Sequence, residues 1–220
     1  MSLADKAVIF DLDGTVLDTV PDLAFALNKA LAAFGYPTHS QDAVKGFLGN
    51  GSFVLVRRAL PEEAPDSAVA TVRARFREEY EKNEVDKTTA YSGMAELLAE
   101  LSSLGIKTAV VTNKDEKNAV PIIDHFFGRT VGVCRGVRED SERKPNPKVT
   151  LSVLESFGVS PENAVFVGDG FADYETAKNC GIRFVPVGYG YTDFKLLYEK
   201  SGVAPMRDVA ELRAELLEIL

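Results

Sequence analysis

The chain has 220 residues, of which 45% are hydrophobic and 26% charged, a composition typical of a globular protein. Its 25 Lys and Arg against 33 Asp and Glu give a net charge of −8, which argues against nucleic acid as a partner because phosphate backbones are bound by basic surfaces. Two Cys and two His are too few for a disulfide framework or a structural zinc site. Without a long apolar run or a secretory signal pattern, we expect a cytoplasmic protein that does not contact membranes.

Short apolar runs rich in Val, Ile and Phe alternate with helical patterns along most of the chain. The runs are residues 7–10, 106–112, 130–134, 164–168 and 182–187. Their composition predicts strands buried on both faces. Leucine and valine spacing predicts helices over 94–104 and 149–157, each followed by a glycine. This alternation predicts an α/β fold with a Rossmann-like parallel sheet flanked by helices.

One region between the first strand and residue 94 contains helical patterns and no strand-like run. Helices are predicted over 20–35, from about 53 to 60, and from 66 to about 83. We therefore predict an all-helical domain over 16–87, inserted into a core domain formed by 1–15 and 88–220. An insertion after a strand lies near the sheet edge where open α/β folds bind ligands, so this domain is a candidate lid.

The first predicted strand ends in a pair of aspartates, Asp11 and Asp13, followed by Gly14. Two acids two positions apart project to the same side of an extended chain and repel each other unless a cation intervenes. Aspartate before glycine is also a common turn pattern, so the spacing alone leaves both interpretations open.

Two further predicted strands bring polar residues to the same edge of the sheet. Thr112 and Asn113 end the second strand, and Asp169 follows the fourth, with Asp173 four residues later. Taken alone, Thr112 would be interpreted as a helix N-cap and Asp173 as a partner of the helix dipole. Together with the first pair of acids they favour phosphate chemistry with Mg²⁺, because hard oxygen ligands suit that cation.

A basic residue, Lys144, lies between the third predicted strand and the following helix, next to Pro145. A lysine in a loop is usually solvated. If the proline holds this loop rigid, however, Lys144 supplies the positive charge that clustered carboxylates and a phosphate both need.

Four segments, in this order, resemble the motifs of the haloacid dehalogenase superfamily of aspartate-nucleophile phosphatases. They are Asp11-Leu12-Asp13-Gly14-Thr15, Thr112-Asn113, Lys144-Pro145, and Gly168-Asp169-Gly170 with Asp173. The resemblance covers nearly the whole chain, since the helical insertion stands where the first type of cap domain stands in that family. It implies phosphoryl transfer, because the dehalogenating branch lacks the second acid of the first motif.

The resemblance also implies the roles of the acidic residues. Asp11 would be the nucleophile that forms an aspartyl-phosphate, and Asp13 the general acid and base. Mg²⁺ would be bound by the side chains of Asp11 and Asp169 and by the backbone carbonyl of Asp13.

The remaining motif residues would act on the phosphoryl group. Thr112 and Asn113 would bind its oxygens, and Lys144 would place a positive charge beside it. Asp173 would orient Lys144 or a water on the metal without touching the substrate.

Within the superfamily the chain is most similar to phosphoglycolate phosphatases. The similar segments are residues 18–23, the loop Gly49-Asn50-Gly51 with the helix after it, and Gly188-Tyr189-Gly190-Tyr191. The likeness implies hydrolysis of 2-phosphoglycolate to glycolate and phosphate. The loop and one of two adjacent arginines, Arg57 in preference to Arg58, would then bind the substrate carboxylate. The chain departs from that group at Phe171 and Ala172, where a polar stretch is common.

Three alternatives remain open. The first is a phosphatase of the same superfamily for a sugar phosphate, nucleotide or pyrophosphate. The second is a phosphomutase similar to β-phosphoglucomutase, although His39 is the sole histidine of the insertion and matches no motif. The third is a non-catalytic binding protein, which is disfavoured because every motif acid is present. In each case we expect a small phosphorylated metabolite as partner and a monomer or homodimer.

Overall fold

The computed structural model describes residues 2–220, which form two compact units. The core unit contains the residues up to Leu17 together with Ala90–Leu220, and the helical unit is Asp18–Thr89. The strands are β1 (Ala7–Phe10), β2 (Leu17–Asp18), β3 (Thr89–Ala90), β4 (Lys107–Asp115), β5 (Val133–Val137), β6 (Ala164–Gly168) and β7 (Arg183–Pro186). The α-helices are α1 (Val20–Ala33), α2 (Gln41–Lys45), α3 (Gly51–Ala59), α4 (Asp66–Asn83), α5 (Met94–Ser103), α6 (Glu116–Phe127), α7 (Lys148–Phe157), α8 (Phe171–Cys180), α9 (Phe194–Ser201) and α10 (Val209–Ile219).

The core unit contains a five-stranded sheet in the order β5-β4-β1-β6-β7, and all neighbouring strands are parallel. Phe10, at the end of β1, is in register with Val110 of β4 and Val167 of β6. The carboxyl ends of these three central strands therefore lie side by side. The predicted Rossmann-like α/β fold is confirmed.

Both faces of the central strand are buried under helices, which explains its continuous apolar sequence. Ala7 and Ile9 pack in one cluster with Val153 and Leu154 of α7 and with Ala177 of α8. Successive side chains of a strand point to opposite faces, so the next residues, which are also fully buried, cover the other face. A strand with two buried faces carries no polar alternation.

Three strands differ from their predicted ranges, although β7 differs by only one residue at each end. β4 and β5 differ more, because apolar runs do not mark polar strand ends. β4 continues through the polar residues 112–115, and its pairing with β5 changes register between Val111 and Asp115. Thr112 consequently lies inside β4, and the interpretation of Thr112 as an N-cap is wrong: Asp115 precedes α6. Residue Thr130, predicted to begin β5, instead ends a short 3-10 helix.

The helical unit packs α1 and α3 against α4. The short helix α2 was not predicted; it begins where the Ser40 hydroxyl accepts a hydrogen bond from Ala43 N at 3.2 Å. The expectation of no strand between the first strand and residue 94 is also wrong, since β2 and β3 lie in this region and pair with each other. Strands of two residues are too short to produce a sequence pattern. Across residues 2–220, no helix is both long enough and apolar enough to cross a membrane.

Candidate active site

Three acids meet at the carboxyl edge of the central strands. Asp11 follows β1 directly, and its backbone N–H donates to the carbonyl of Val167 in β6 at 2.9 Å. Asp169 follows β6, and Asp173 lies in the first turn of α8. One carboxylate oxygen from each of the three acids lies within 4.8 Å of the other two. The sequence predicted that Asp11, Asp169 and Asp173 would come together at this edge, and the structure brings the three carboxylates into one cluster.

A glycine permits this close approach of α8 to the sheet. A Cβ atom on Gly168 would lie 2.5 Å from Cγ and Oδ2 of Asp173, so a side chain at residue 168 would displace the acid. The Asp173 carboxylate is further held by the N–H of Gly170, which donates to Oδ2 at 2.9 Å. Asp173 is therefore fixed by the turn that joins β6 to α8.

Lys144 is the cation that faces this cluster. Its Nζ lies 2.7 Å from Oδ1 of Asp11 and 2.6 Å from Oδ1 of Asp173, and only 3% of its side chain is exposed. The predicted contact between Lys144 and Asp173 is present. Lys144 is thus a buried charge with two acidic partners, and the peptide bond that joins it to Pro145 is cis.

Asn113 holds the loop that carries Lys144. Its Oδ1 accepts a hydrogen bond from Lys144 N at 2.7 Å, and its Nδ2 donates to the carbonyl of Lys144 at 3.2 Å. The side-chain amide of Asn113 thus pairs with both backbone polar groups of Lys144, as a neighbouring strand would. Sequence reasoning missed this contact, and the phosphate contact predicted for Asn113 stays a prediction.

The cluster has more negative than positive charge. Burial raises the pKa of Asp11 to about 7, helped by the charge of Asp173 and opposed by Lys144. Burial also raises the pKa of Asp169 to about 8, with Asp173 and Asp11 adding to the shift. Burial lowers the pKa of Lys144, but the charges of Asp11 and Asp173 outweigh it and the net shift is upward. Three carboxylates share one ammonium, so a further cation would relieve their repulsion.

The donor set fits such a cation. It consists only of carboxylate oxygens, which are the ligands of hard divalent metals. Their separation is within the range that one ion bridges, and burial together with the charges of the neighbouring acids raises the pKa of Asp11 and of Asp169. The cluster is therefore a candidate metal site.

Asp13 has a different partner from the other acids of the edge. Lys114 Nζ lies 2.9 Å and 3.3 Å from its two carboxylate oxygens, and only 7% of the Lys114 side chain is exposed. Sequence reasoning missed Lys114, since it assigned the end of the strand to Thr112. The signal that could have found it is the spacing: residues 112 and 114 project to the same side of an extended strand.

Thr112 is buried near this pair, inside β4. Its Oγ1 accepts a hydrogen bond from the backbone N–H of Lys114 at 3.2 Å, which leaves the hydroxyl proton available to another acceptor. The predicted contact of Thr112 with a phosphoryl oxygen stays a prediction.

In the helical unit, the loop predicted to bind substrate is the N-terminus of α3. Gly49 and Gly51 have φ angles of +100° and +81°, in the region that favours glycine, and Asn50 lies between them as the N-cap. This conformation explains the Gly-Asn-Gly sequence. The substrate contact predicted for Gly49, Asn50 and Gly51 stays a prediction.

The two arginines of α3 donate to backbone carbonyls within the helical unit. Arg57 is half-buried and donates to the carbonyls of Pro61, Glu62 and Ala64 at 2.5, 3.0 and 2.6 Å. Arg58 is exposed and lies 3.3–3.5 Å from the carbonyls of residues 46–48. The substrate contact predicted for Arg57 stays a prediction, but these bonds reveal a structural role that the sequence did not suggest.

Comparison with known proteins identifies the family. The sequence model of the haloacid dehalogenase-like hydrolase family matches residues 8–187. A phosphoglycolate phosphatase of Pseudomonas syringae pv. tomato is 36% identical over 214 residues, which cover 94% of this chain and 78% of that protein. A solved structure from Lactobacillus delbrueckii subsp. bulgaricus superposes with a TM-score of 0.90 at 29% identity, covering 97% of this chain and 98% of that one. A predicted phosphoglycolate phosphatase from Haemophilus somnus gives a TM-score of 0.85 at 29% identity, with 97% of both chains covered. The resemblance found in the sequence is confirmed: the chain belongs to the haloacid dehalogenase-like hydrolases and is a phosphatase.

Proposed function

We propose that this phosphatase hydrolyses a small phosphate monoester, 2-phosphoglycolate, through a covalent phosphoryl-Asp11 intermediate. The substrate is suggested by curated relatives such as the Pseudomonas syringae protein, which is named a phosphoglycolate phosphatase and is 36% identical. The chemistry is supported above all by one observation: Asp11 shares the only buried ammonium of its cluster with Asp173, while Asp13 pairs separately with Lys114. Two adjacent acids with different partners suit the two different tasks that the reaction requires.

The candidate metal site would hold Mg²⁺. Asp11 and Asp169 would bind it through their side chains and Asp13 through its backbone carbonyl, with Asp173 close enough to support the same ion. When bound, Mg²⁺ neutralises charge on the phosphoryl group and on the attacking carboxylate, which otherwise repel each other.

Asp11 performs the substitution at phosphorus. A carboxylate oxygen of Asp11 forms a bond to phosphorus as the bond from phosphorus to the leaving oxygen breaks. Asp13 gives its proton to that leaving oxygen, and then accepts a proton from the water that attacks the aspartyl-phosphate. Cleavage of the acyl phosphate releases inorganic phosphate and restores Asp11.

The neighbouring residues orient these groups. Lys144, at 2.7 Å, holds the Asp11 carboxylate and adds positive charge beside the phosphoryl oxygens, and Asp173 in turn holds Lys144. The Thr112 hydroxyl donates a hydrogen bond to a phosphoryl oxygen. Lys114 fixes the position of the Asp13 carboxylate.

The helical unit is the proposed cap, corresponding to the domain predicted over 16–87. A cap that closes on bound substrate excludes water, and its contacts with the leaving group select the substrate. Backbone N–H groups of the Gly49–Gly51 loop are suited to a small carboxylate such as that of glycolate. This role rests on the resemblance to the family.

The test is phosphate release from a panel of substrates with Mg²⁺, comparing 2-phosphoglycolate, hexose phosphates, nucleotides and pyrophosphate. We expect the highest kcat/KM for 2-phosphoglycolate, loss of activity in EDTA, and recovery with Mg²⁺ but not Ca²⁺, which prefers more ligands in looser geometry. The D11N protein, purified identically, controls for contaminating phosphatases. Full activity in EDTA would contradict the metal site, and a preference for another substrate class would contradict 2-phosphoglycolate alone.

A further inference from the structure

The segment 188–191, Gly-Tyr-Gly-Tyr, has no part in the proposed chemistry, yet it contacts the carboxylate of Asp169. The backbone N–H of Tyr191 donates to Asp169 Oδ2 at 2.6 Å. On the other side, the hydroxyl of Thr15 lies 3.4 Å from Asp169 Oδ1. Each oxygen of this buried carboxylate therefore faces a donor of the core unit, and the two donors come from segments far apart in sequence.

Two glycines allow the backbone to come close to Oδ2 of Asp169. A Cβ atom on Gly190 would lie 2.5 Å from Asp169 Oδ2 and from the carbonyl oxygen of Gly14, and closer still to Asp169 Cβ. Gly190 does not have a positive φ angle, so the close approach and not the backbone conformation requires glycine there. A Cβ on Gly14 would likewise lie 2.5 Å from Asp169 Oδ2 and 3.0 Å from the Tyr191 ring.

Tyr189 links the segment to the second donor. Its hydroxyl donates to the carbonyl of Thr15 at 3.2 Å, and its ring lies 4.6 Å from the ring of Tyr91. Burial, together with Tyr91 and the charges of Asp169 and Asp208, raises the pKa of Tyr189 above its usual range, so the hydroxyl keeps the proton that it donates. The segment thus contacts Asp169 directly through residue 191 and indirectly through Thr15.

We propose that residues 189–191 form a positioning element that fixes the Asp169 carboxylate for the divalent cation. The inference rests on the proposed function, in which Asp169 is a metal ligand. It assigns a role in cation affinity to Gly190 and Tyr189, which contact the ligand residue or its partner and not the ion. Groups that orient a metal ligand typically change affinity by about 10- to 100-fold when they are altered.

The test measures binding of Mn²⁺, a spectroscopic substitute for Mg²⁺, to the full chain by electron paramagnetic resonance and calorimetry, so it does not depend on turnover. G190A should weaken Mn²⁺ binding about 10-fold or more, because the added methyl group displaces Asp169. Y189F, which removes only the hydroxyl, should weaken it by about two- to fivefold through Thr15. G188A is the matched control: its Cβ would meet Phe194 and Pro205 instead of Asp169, so it should lower Tm without changing Mn²⁺ affinity.

The outcomes separate this inference from the proposed function. Wild-type affinity in both G190A and Y189F would overturn the inference while the metal site stands, and so would an equal loss in G188A. If G190A does not fold, Y189F and the G188A control decide between these results. Absence of Mn²⁺ binding by the wild type would instead remove the proposed metal site, and the inference with it.

Discussion

The two units bury acidic residues in opposite ways. In the helical unit, the fully buried Asp22 accepts hydrogen bonds from Lys87 N, Thr88 N and the Thr88 hydroxyl, all between 2.7 and 3.1 Å. In the core unit, the acids of the candidate active site share one ammonium, and two of them have pKa values raised to about 7 and 8. The first arrangement satisfies the carboxylate, whereas the second leaves repulsion among carboxylates.

Glu79 of α4 strengthens this contrast. It is buried, but Lys29, Arg75 and Lys82 each lie 2.6–3.5 Å from its carboxylate. Burial alone would raise the pKa of Glu79, but the hydrogen bond from Lys29 and the charges of the three cations lower it below its usual value. An acid that serves the fold is thus neutralised by its surroundings, whereas the acids of the candidate metal site retain excess charge.

The largest expected effect follows from changing the proposed nucleophile. D11N should lower kcat by about 10³-fold or more, because an amide cannot form the aspartyl-phosphate. It should not destabilise the metal-free protein, since it removes one charge from a crowded cluster. Phosphate release and urea unfolding in EDTA measure the two effects. The control is D5N, at an exposed residue of the same unit, and substantial turnover by D11N would contradict the covalent mechanism.

The next effect tests the single cation of the cluster. K144M leaves the three clustered carboxylates, two of them buried, without their ammonium, which should lower the free energy of unfolding in EDTA at about pH 8 by about 3–5 kcal/mol. Mg²⁺ should restore part of this loss. K148M, whose side chain is 67% exposed, should change stability little. A K144M protein as stable as K148M would show that the carboxylates do not need this charge.

The sequence predicted those features of the two units that depend on local patterns. The bounds of β1 and β6 matched the apolar runs at 7–10 and 164–168, because strands buried on both faces have continuous apolar sequences. The acids that follow these strands were found for the same reason. Lys114, the contact of Asn113 with Lys144 and the partners of Arg57 were missed. The first two are side-chain contacts across long sequence separations and the third are contacts with carbonyls of a connecting segment, and neither kind leaves a periodic signal.

The helical unit provides the comparison with a satisfied acid. D22A leaves the N–H groups of residues 87 and 88, the second of them buried, without their acceptor, so it should lower the free energy of unfolding by about 1–3 kcal/mol. This loss should be the same with EDTA and with Mg²⁺, in contrast to that of K144M. D42N, at an exposed position of α2, is the control. A Mg²⁺-dependent loss in D22A would show that Asp22 does not belong with the structural acids.

The pH dependence of stability distinguishes the two kinds of acid without a large structural change. Asp11 and Asp169 have folded-state pKa values raised from 3.8 to about 7 and 8, so between about pH 4 and 8 the folded state binds more protons than the unfolded state. In EDTA, the free energy of unfolding should therefore fall as the pH rises through this window.

Two further measurements make this result specific. D169N should flatten the dependence, because it removes one of the two groups that titrate there. Glu79 has a lowered pKa, so its stabilising contribution should be lost only as the pH falls below its usual value of 4.5, outside the same window. Stability that rises from pH 5 to 8 in EDTA would contradict the excess charge of the cluster.

The smallest expected effect concerns Arg57, for which sequence and structure suggest different roles. Its three hydrogen bonds to the carbonyls of Pro61, Glu62 and Ala64 hold the connection between α3 and α4. We expect R57A to lower the free energy of unfolding by about 1 kcal/mol and to change KM for 2-phosphoglycolate and for a simple alkyl phosphate by the same factor. A guanidinium engaged in this way has few donors left for a substrate carboxylate.

R58A, at the exposed neighbour with longer contacts, is the matched control and should have a smaller effect on stability. If Arg57 instead binds the substrate carboxylate, R57A would raise KM for 2-phosphoglycolate alone, because about 2–5 kcal/mol of binding free energy would be lost. The role predicted from the sequence would then stand.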